Sequence, residues 1–231
     1  MVAADYARWV FDLLGLLRQV DESFSRLYLV ERYEGGYKST DVDEGEFERL
    51  IFANLQKDLA YTNPISSERG LTRDSRCALG FSTSFITSEK PNASSALVEI
   101  RIGRSAPNSV NTLIIRCPNS HPGDYFAKLL RALVKYSDPL HAHCWSQAFG
   151  ERINQPVGDI YIGWLTYLSD GRVAEPLKDI AATETFWSGV LIETTNLHDF
   201  SMNEQVIANA LAIVGRLGGM GFLTNPSRRK A

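Results

Sequence analysis

The residues best equipped for chemistry are His141-Ala142-His143-Cys144-Trp145. In a strand, His141 and His143 would face one side and Cys144 the other, because successive side chains alternate. Two imidazoles make only half of a tetrahedral metal site, and no spacing recruits His121 or His198 to complete it. Partly buried histidines without a ligand are the simpler reading. A Cys/His nucleophile pair would need a thiolate-stabilising surround and an orienting third group. Cys77, Cys117 and Cys144 could each be cast in that role, so none is singled out; Cys117, at the end of an apolar strand, fits a core position. Ser66-Ser67 and the glycines of Gly215 to Gly221 form no nucleophile elbow, phosphate loop or dinucleotide fingerprint, since Gly218-Gly219-Met220-Gly221 follows a helix rather than opening one. The expectation is no catalytic residue, no metal ligand and no cofactor. A small cytosolic hydrolase or metal-binding enzyme using His141, His143 and Cys144 is the alternative.

A second kind of chemistry is electrostatic. From Glu31 to Glu48 lie Glu31, Glu34, Asp41, Asp43, Glu44, Glu46 and Glu48, seven acids against the two bases Arg32 and Lys38. This local charge of minus 5, set against minus 3 for the whole chain, leaves the remainder at plus 2. Clustered carboxylates steer association with a basic protein. Glu31, Glu34, Asp41, Asp43, Glu44 and Glu48 are therefore the candidate partner-binding residues. A solvated helix start explains the same acids without a partner, because carboxylates are favoured at helix N-termini.

The 231 residues are 44% hydrophobic and 22% charged, ordinary for a globular protein with a sizeable core. The slight acidity argues against direct nucleic-acid binding, which favours a basic face. Three widely spaced cysteines point away from a disulfide framework and towards a reducing compartment. No basic-then-apolar leader opens the chain, and no run approaches the ~18 to 20 apolar residues that cross a bilayer. The expected protein is soluble, unprocessed and cytoplasmic, with no membrane contact.

The elements that would position these residues follow from periodicity. Behind Asp5 as N-cap, Tyr6, Trp9, Val10, Leu13, Leu14, Leu17 and Val20 give a first helix; Phe24 to Val30 could be helix or strand. Asp43 with Glu46 resembles a capping box for a helix from about Glu44 to Leu59, and 61–76 form a long surface connection. Alternation marks strands at 78–87, 97–103 and 110–117, an antiparallel meander. A helix opens at Pro122-Gly123-Asp124 and stops at Asp138-Pro139. The segment 141–149 could be a strand. The run 159–169 is apolar on both faces, with Ile160, Ile162, Trp164 and Leu168 on one and Tyr161, Leu165 and Tyr167 on the other. It predicts a central strand covered on both sides, beside a second at 188–195 after a turn-rich connection. Ser201 with Glu204 caps a last helix. The sum is one α+β domain over 1–224, an antiparallel or mixed sheet with packed amphipathic helices, and a disordered basic tail at 225–231.

Gly163-Trp164-Leu165-Thr166-Tyr167-Leu168-Ser169, a variable loop, the 189–195 strand and a closing helix resemble the C-terminal half of the immunity protein 52 family of bacterial polymorphic toxin systems. Gly80-Phe81-Ser82, Pro107-Asn108-Ser109-Val110 and Leu129-Leu130-Arg131-Ala132-Leu133-Val134 leading to Asp138-Pro139 agree, so the likeness spans roughly 5–223. Asn196-Leu197-His198-Asp199-Phe200 departs from the family, which places an acidic residue shortly before a Phe-Asp pair. The resemblance implies a non-catalytic immunity protein that binds and neutralises a cognate toxin, a restriction-endonuclease-like nuclease often delivered by type VI secretion. It also implies that the shared motif residues are structural. A generic acidic protein-binding module is the remaining reading.

Overall fold

The computed structural model describes residues 1–31, 33, 35–62, 70–77, 80–103, 111–118, 123–155, 160–195 and 202–223. Glu34, His121, His198, Ser201 and the tail at 225–231 lie outside them. The architecture is α+β with two antiparallel sheets, and the chain divides into two compact units, 1–120 and 121–231. The sequence suggests a single domain; each unit carries its own sheet and helices, and each is described in turn.

In the first unit, helix α1 (Ala3–Val20) buries Tyr6, Val10, Leu13, Leu14, Leu17 and Val20, the stripe expected from its spacing. Asp5 is not the cap. The helix begins two residues earlier, and Asp5 instead accepts from the Val2 N–H at 3.4 Å. The undecided segment resolves into a single turn, Glu22–Phe24, followed by strand β1 (Tyr28–Glu31). β1 pairs with β2 (Gly36–Ser39), a hairpin not expected from the sequence. Helix α2 (Glu44–Thr62) follows, then β3 (Phe81–Ile86), β4 (Leu97–Ile102) and β5 (Thr112–Arg116), giving the strand order β2-β1-β3-β4-β5. The expected meander is present. Alternation sends Leu29, Phe81, Phe85, Val98 and Ile100 to one face, all buried. Tyr6 and Phe47 bring the two helices onto that face, with ring centroids 5.2 Å from Phe81 and 6.4 Å from Phe85. The buried Tyr6 hydroxyl shares a 2.7 Å hydrogen bond with Thr83, so neither polar group is left unpaired.

The second unit runs α3 (Gly123–Ser137), β6 (His141–Cys144), α4 (Gln147–Ile153), β7 (Leu165–Leu168), β8 (Ala182–Phe186), β9 (Gly189–Glu193) and α5 (Glu204–Gly219), with sheet order β6-β7-β9-β8. β7 and β9 are neighbours and every residue of β7 is buried, as the two-sided apolar pattern requires. Leu165, Tyr167 and Leu191 meet Ala127, Leu130 and Val134 of α3. Leu168, Val190 and Ile192 meet Ile213 and Leu217 of α5 on the other face. Several expectations change. The segment 141–149 is strand only over His141–Cys144 and helical from Gln147. The ladder strand is shorter than 159–169, because 160–163 run off it: Ile160 N–H donates to Leu223 O at 2.9 Å, and Ile162 N–H to Gln155 Oε1 at 2.8 Å. The turn-rich connection contains β8, which is exposed at Ala182, Glu184 and Thr185 and so lacks an apolar pattern. The cap of α5 is Asn203, whose side chain accepts from Val206 N–H at 2.9 Å; Glu204 is the first helical residue.

The motif residues Gly163, Trp164 and Thr166 knot this unit together. Gly163 N–H donates to Thr166 Oγ1 at 2.9 Å, and Trp164 N–H to Cys144 O at 2.9 Å. Thr194 Oγ1 lies 3.2 Å from Gly163 O and 3.1 Å from Trp164 O, its single proton shared between two carbonyls. A Cβ on Gly163 would sit 2.0 Å from Cys144 O, and one on Gly189 2.1 Å from Leu168 O, so both glycines are required by close backbone approach. These residues hold the backbone together, and Trp164 packs on Phe149 at 5.2 Å.

Candidate functional site: an acidic helix start in the first unit

The acids of 31–48 are positioned by Thr40. Its N–H donates to Leu27 O at 3.0 Å, its hydroxyl to the same carbonyl at 2.7 Å, and Arg18 Nη2 donates to its carbonyl at 3.1 Å. With Thr40 fixed between β2 and α1, 41–43 make a short exposed bridge into α2. Asp43 caps that helix, accepting from Glu46 N–H at 2.8 Å, while its carbonyl takes Phe47 N–H at 2.8 Å. One half of the expected capping box is present, the Asp43 side chain on Glu46 N–H. Asp41, Asp43, Glu44 and Glu46 are all exposed.

The six candidate residues do not share one role. Glu31 is withdrawn: its side chain is 12% exposed and lies 3.0 Å from Lys38 Nζ and 3.3 Å from Lys57 Nζ. Lys38 above all, with Lys57, holds its carboxyl below the ordinary range, against the opposing effect of partial burial. It ties the hairpin to α2 and has little charge to offer a partner. Glu34 lies outside the described residues. Glu44 stands 4.0 Å from Arg8 with both side chains mostly in water, an ion pair of little energetic weight. Glu48 is more enclosed and pairs with Arg73 at 3.0 Å. Arg73 is brought there because the 70–77 segment closes the start of α1, with Ala3 and Ala4 N–H groups donating to Ser75 O and Arg73 O at 2.9 and 3.0 Å. The pairings of Glu31 with Lys57, Glu44 with Arg8 and Glu48 with Arg73 are not visible in sequence, because each joins residues far apart in the chain.

Glu44, Glu48, Arg8, Arg73 and Asp5 surround a cleft of about 160 Å³ whose apolar part is Ala4, Ala7, Phe11 and Phe47. That volume is below the ~300 to 1,000 Å³ typical of small-molecule sites. Around the cleft and the helix start lie the six carboxylates of Asp5, Asp41, Asp43, Glu44, Glu46 and Glu48 and the four guanidiniums of Arg8, Arg18, Arg49 and Arg73. The surface remains acidic after its internal pairings.

In the second unit, β6 places His141 and His143 on one side, rings 6.1 Å apart and 5° from parallel. Trp145 and Tyr161 extend the row, stacked at 5.5 Å. Cys144 points the opposite way, its Sγ 3.7 Å from Phe126 O, and so cannot pair with either imidazole. Burial lowers both histidine pKa values, that of His143 to about 4 with His141 adding to the effect, so both are neutral at pH 7. Nδ1 of His143 is buried without a hydrogen-bond partner among the described residues. Among those residues no three His, Cys, Asp or Glu converge as a metal set. No described helix is long and apolar enough to cross a membrane.

Compared with known protein families and with characterised proteins, the chain matches none.

Proposed function

We propose that this chain is a non-enzymatic immunity protein that binds a basic toxin, a nuclease of the kind delivered by type VI secretion, and neutralises it in the cytoplasm of the cell that makes it. One observation carries the reading. The exposed carboxylates Asp41, Asp43, Glu44 and Glu46 are held at a fixed helix start beside a cleft of about 160 Å³. A nuclease active site is lined with basic groups because it must accept a polyanion, and a rigid array of carboxylates can occupy the same field. Asp41, Asp43, Glu44 and Glu48 are the contact residues of this reading, while Glu31 supports them from within. The resemblance of the Gly163 to Ser169 motif to immunity proteins supports the same function. Tight inhibition would need a standard interface of about 1,600 Å² with a few buried anchors.

The test is co-expression with the protein encoded by the adjacent gene. Rescue of growth and a co-purifying complex are expected. Reversal of Asp41 and Glu44 to Lys should lower the association rate and flatten its salt dependence, because charges at an interface rim act mainly on encounter. An adjacent product that is harmless, or rescue that ignores the reversed charges at low salt, would refute the assignment of this surface. The enzyme reading has less support, because its nucleophile and its imidazoles occupy opposite faces of one strand.

A further inference from the structure

β6 is an outer strand of the second unit's sheet, joined to it along one side only. None of its four residues is fully buried, whereas all four of β7 are. The ladder runs from His141 opposite Leu168 to Cys144 opposite Leu165. At its two ends Ser169 N–H donates to Leu140 O at 3.0 Å and Trp164 N–H to Cys144 O at 2.9 Å. His141 and His143 share a face of the sheet with Thr166 and Leu168, their ladder partners.

That face has nothing to receive a proton's charge. The two rings are parallel and 6.1 Å apart, and His143 is walled by Trp145 at 6.0 Å and Tyr161 at 5.8 Å. His143 Nδ1 is buried without a hydrogen bond, and among the described residues no carboxylate bonds either ring. The neighbouring strands add Thr166, Leu168, Val190 and Ile192 here, none of them charged. Tyr161 is the other titratable side chain against the rings. α3, with Lys128, Arg131 and Lys135, packs on the opposite face, where Cys144 Sγ meets Phe126 O. The charges of the surrounding elements are engaged elsewhere: Asp138 with Ser188, Asp170 with Arg172, Glu151 with Gln147, Arg152 with Glu204 and Arg216 with Asp179.

A proton on either imidazole is therefore uncompensated in the closed sheet, and a second one meets the first across 6.1 Å. Burial lowers both pKa values, and the charge of His141 lowers that of His143 further. Once β6 leaves β7, both rings reach water, where an imidazole takes up its proton near pH 6.5. Release thus consumes two protons. The closed strand is favoured above pH 6.5, and its advantage shrinks as pH falls towards 4.

We infer that β6 is an acid-released strand: protonation of His141 and His143 detaches it from β7 while the rest of the second unit stays folded. β7 keeps its ladder to β9 and its buried contacts with α3 and α5. What release bares is one edge of β7, Leu165-Thr166-Tyr167-Leu168, an uncharged strand edge open to pairing with a second molecule. The device needs no partner and is independent of the acidic surface in the first unit.

Amide hydrogen exchange of the full chain, followed by NMR and corrected for the intrinsic rate at each pH, tests it. Trp164 and Ser169 report on β6, since their N–H groups bond Cys144 O and Leu140 O; Thr194 N–H, which donates to Trp164 O at 3.0 Å, reports on the rest of the unit. Between about pH 7.5 and about pH 5 the protection of Trp164 and Ser169 in wild type should fall by at least about 30-fold, the share of His143 alone, while that of Thr194 holds. In His141→Gln/His143→Gln the same two amides should keep a level protection. If the double variant does not fold, His143→Gln takes its place and the fall should shrink by about 30-fold. Equal falls at Trp164, Ser169 and Thr194 would mean that acid unfolds the unit as a whole, which overturns the release. Protection that ignores pH overturns it too, as does a fall that the substitutions leave in place.

Discussion

Replacing Gly163 by alanine adds one methyl group at the point where the chain enters β7. The new Cβ would lie 2.0 Å from Cys144 O and 2.8 Å from Cys144 C, both backbone atoms with no rotamer to turn away. Relief requires the two strands to part by more than about 1 Å, since carbon and oxygen in contact sit near 3.2 Å. That movement breaks the Trp164 N–H to Cys144 O bond at β6 and disturbs the pair of bonds from Thr194 across Gly163 and Trp164. Two hydrogen bonds at about 1 kcal/mol each, with about 1 to 3 kcal/mol of overpacking, give a destabilisation of about 3 to 5 kcal/mol. Urea unfolding of the full chain reads it, and hydrogen exchange at the Trp164 amide locates it. Gly15→Ala is the matched control. Gly15 lies inside α1 with nothing within 4 Å of an added methyl, so that change should stabilise by about 0.5 to 1 kcal/mol. A Gly163→Ala protein no more than about 1 kcal/mol less stable than wild type would show that the motif is not held by close backbone approach.

The pKa of His143 falls from 6.5 to about 4 on folding, chiefly by burial. Between those values the unfolded chain binds a proton that the folded chain refuses at His143, so this residue's contribution to stability is constant above pH 6.5, turns unfavourable as pH drops to 4, and levels off below. The full effect is about 3 kcal/mol from this residue. Parallel urea midpoints of wild type and His143→Gln across that window should diverge; coincident curves would mean that the ring is solvated. Asp43→Ala removes a cap and should cost about 1 kcal/mol, checked by thermal melts of the variant against wild type.

Helices α1, α2, α3 and α5 are legible in the sequence because each carries a long apolar stripe at helical spacing, and the β3–β5 meander because Val98, Ile100 and Phe85 alternate with polar residues. β1–β2 and β8 are not. Gly36-Tyr37-Lys38-Ser39 and Ala182-Thr183-Glu184-Thr185-Phe186 are edge strands with mostly wet side chains, so burial imposes no alternation on them. The pattern at 159–169 overstates its strand because Ile160 and Ile162 do pack in the core, while their N–H groups bond outside the ladder. For the site, the acid cluster and the cap at Asp43 are readable; the pairing of Glu31 with Lys57 and of Glu48 with Arg73 is not, since each joins residues more than twenty positions apart.

The strand orders β2-β1-β3-β4-β5 and β6-β7-β9-β8 leave four outer strands, and their composition bears on how the protein behaves when concentrated. An outer strand can template pairing between molecules unless something discourages it, and a charged side chain is the usual deterrent. β2 carries Lys38, β5 carries Arg116 and β8 carries Glu184. β6 reads His-Ala-His-Cys, and with both imidazoles neutral at pH 7 it has no charge at all. Its protection is brevity: four residues offer too short a ladder to hold a second molecule. Lengthening β6 with further neutral residues would therefore convert the least guarded rim of the sheet into a seed for aggregation, whereas the same extension on β8 would meet the charge of Glu184.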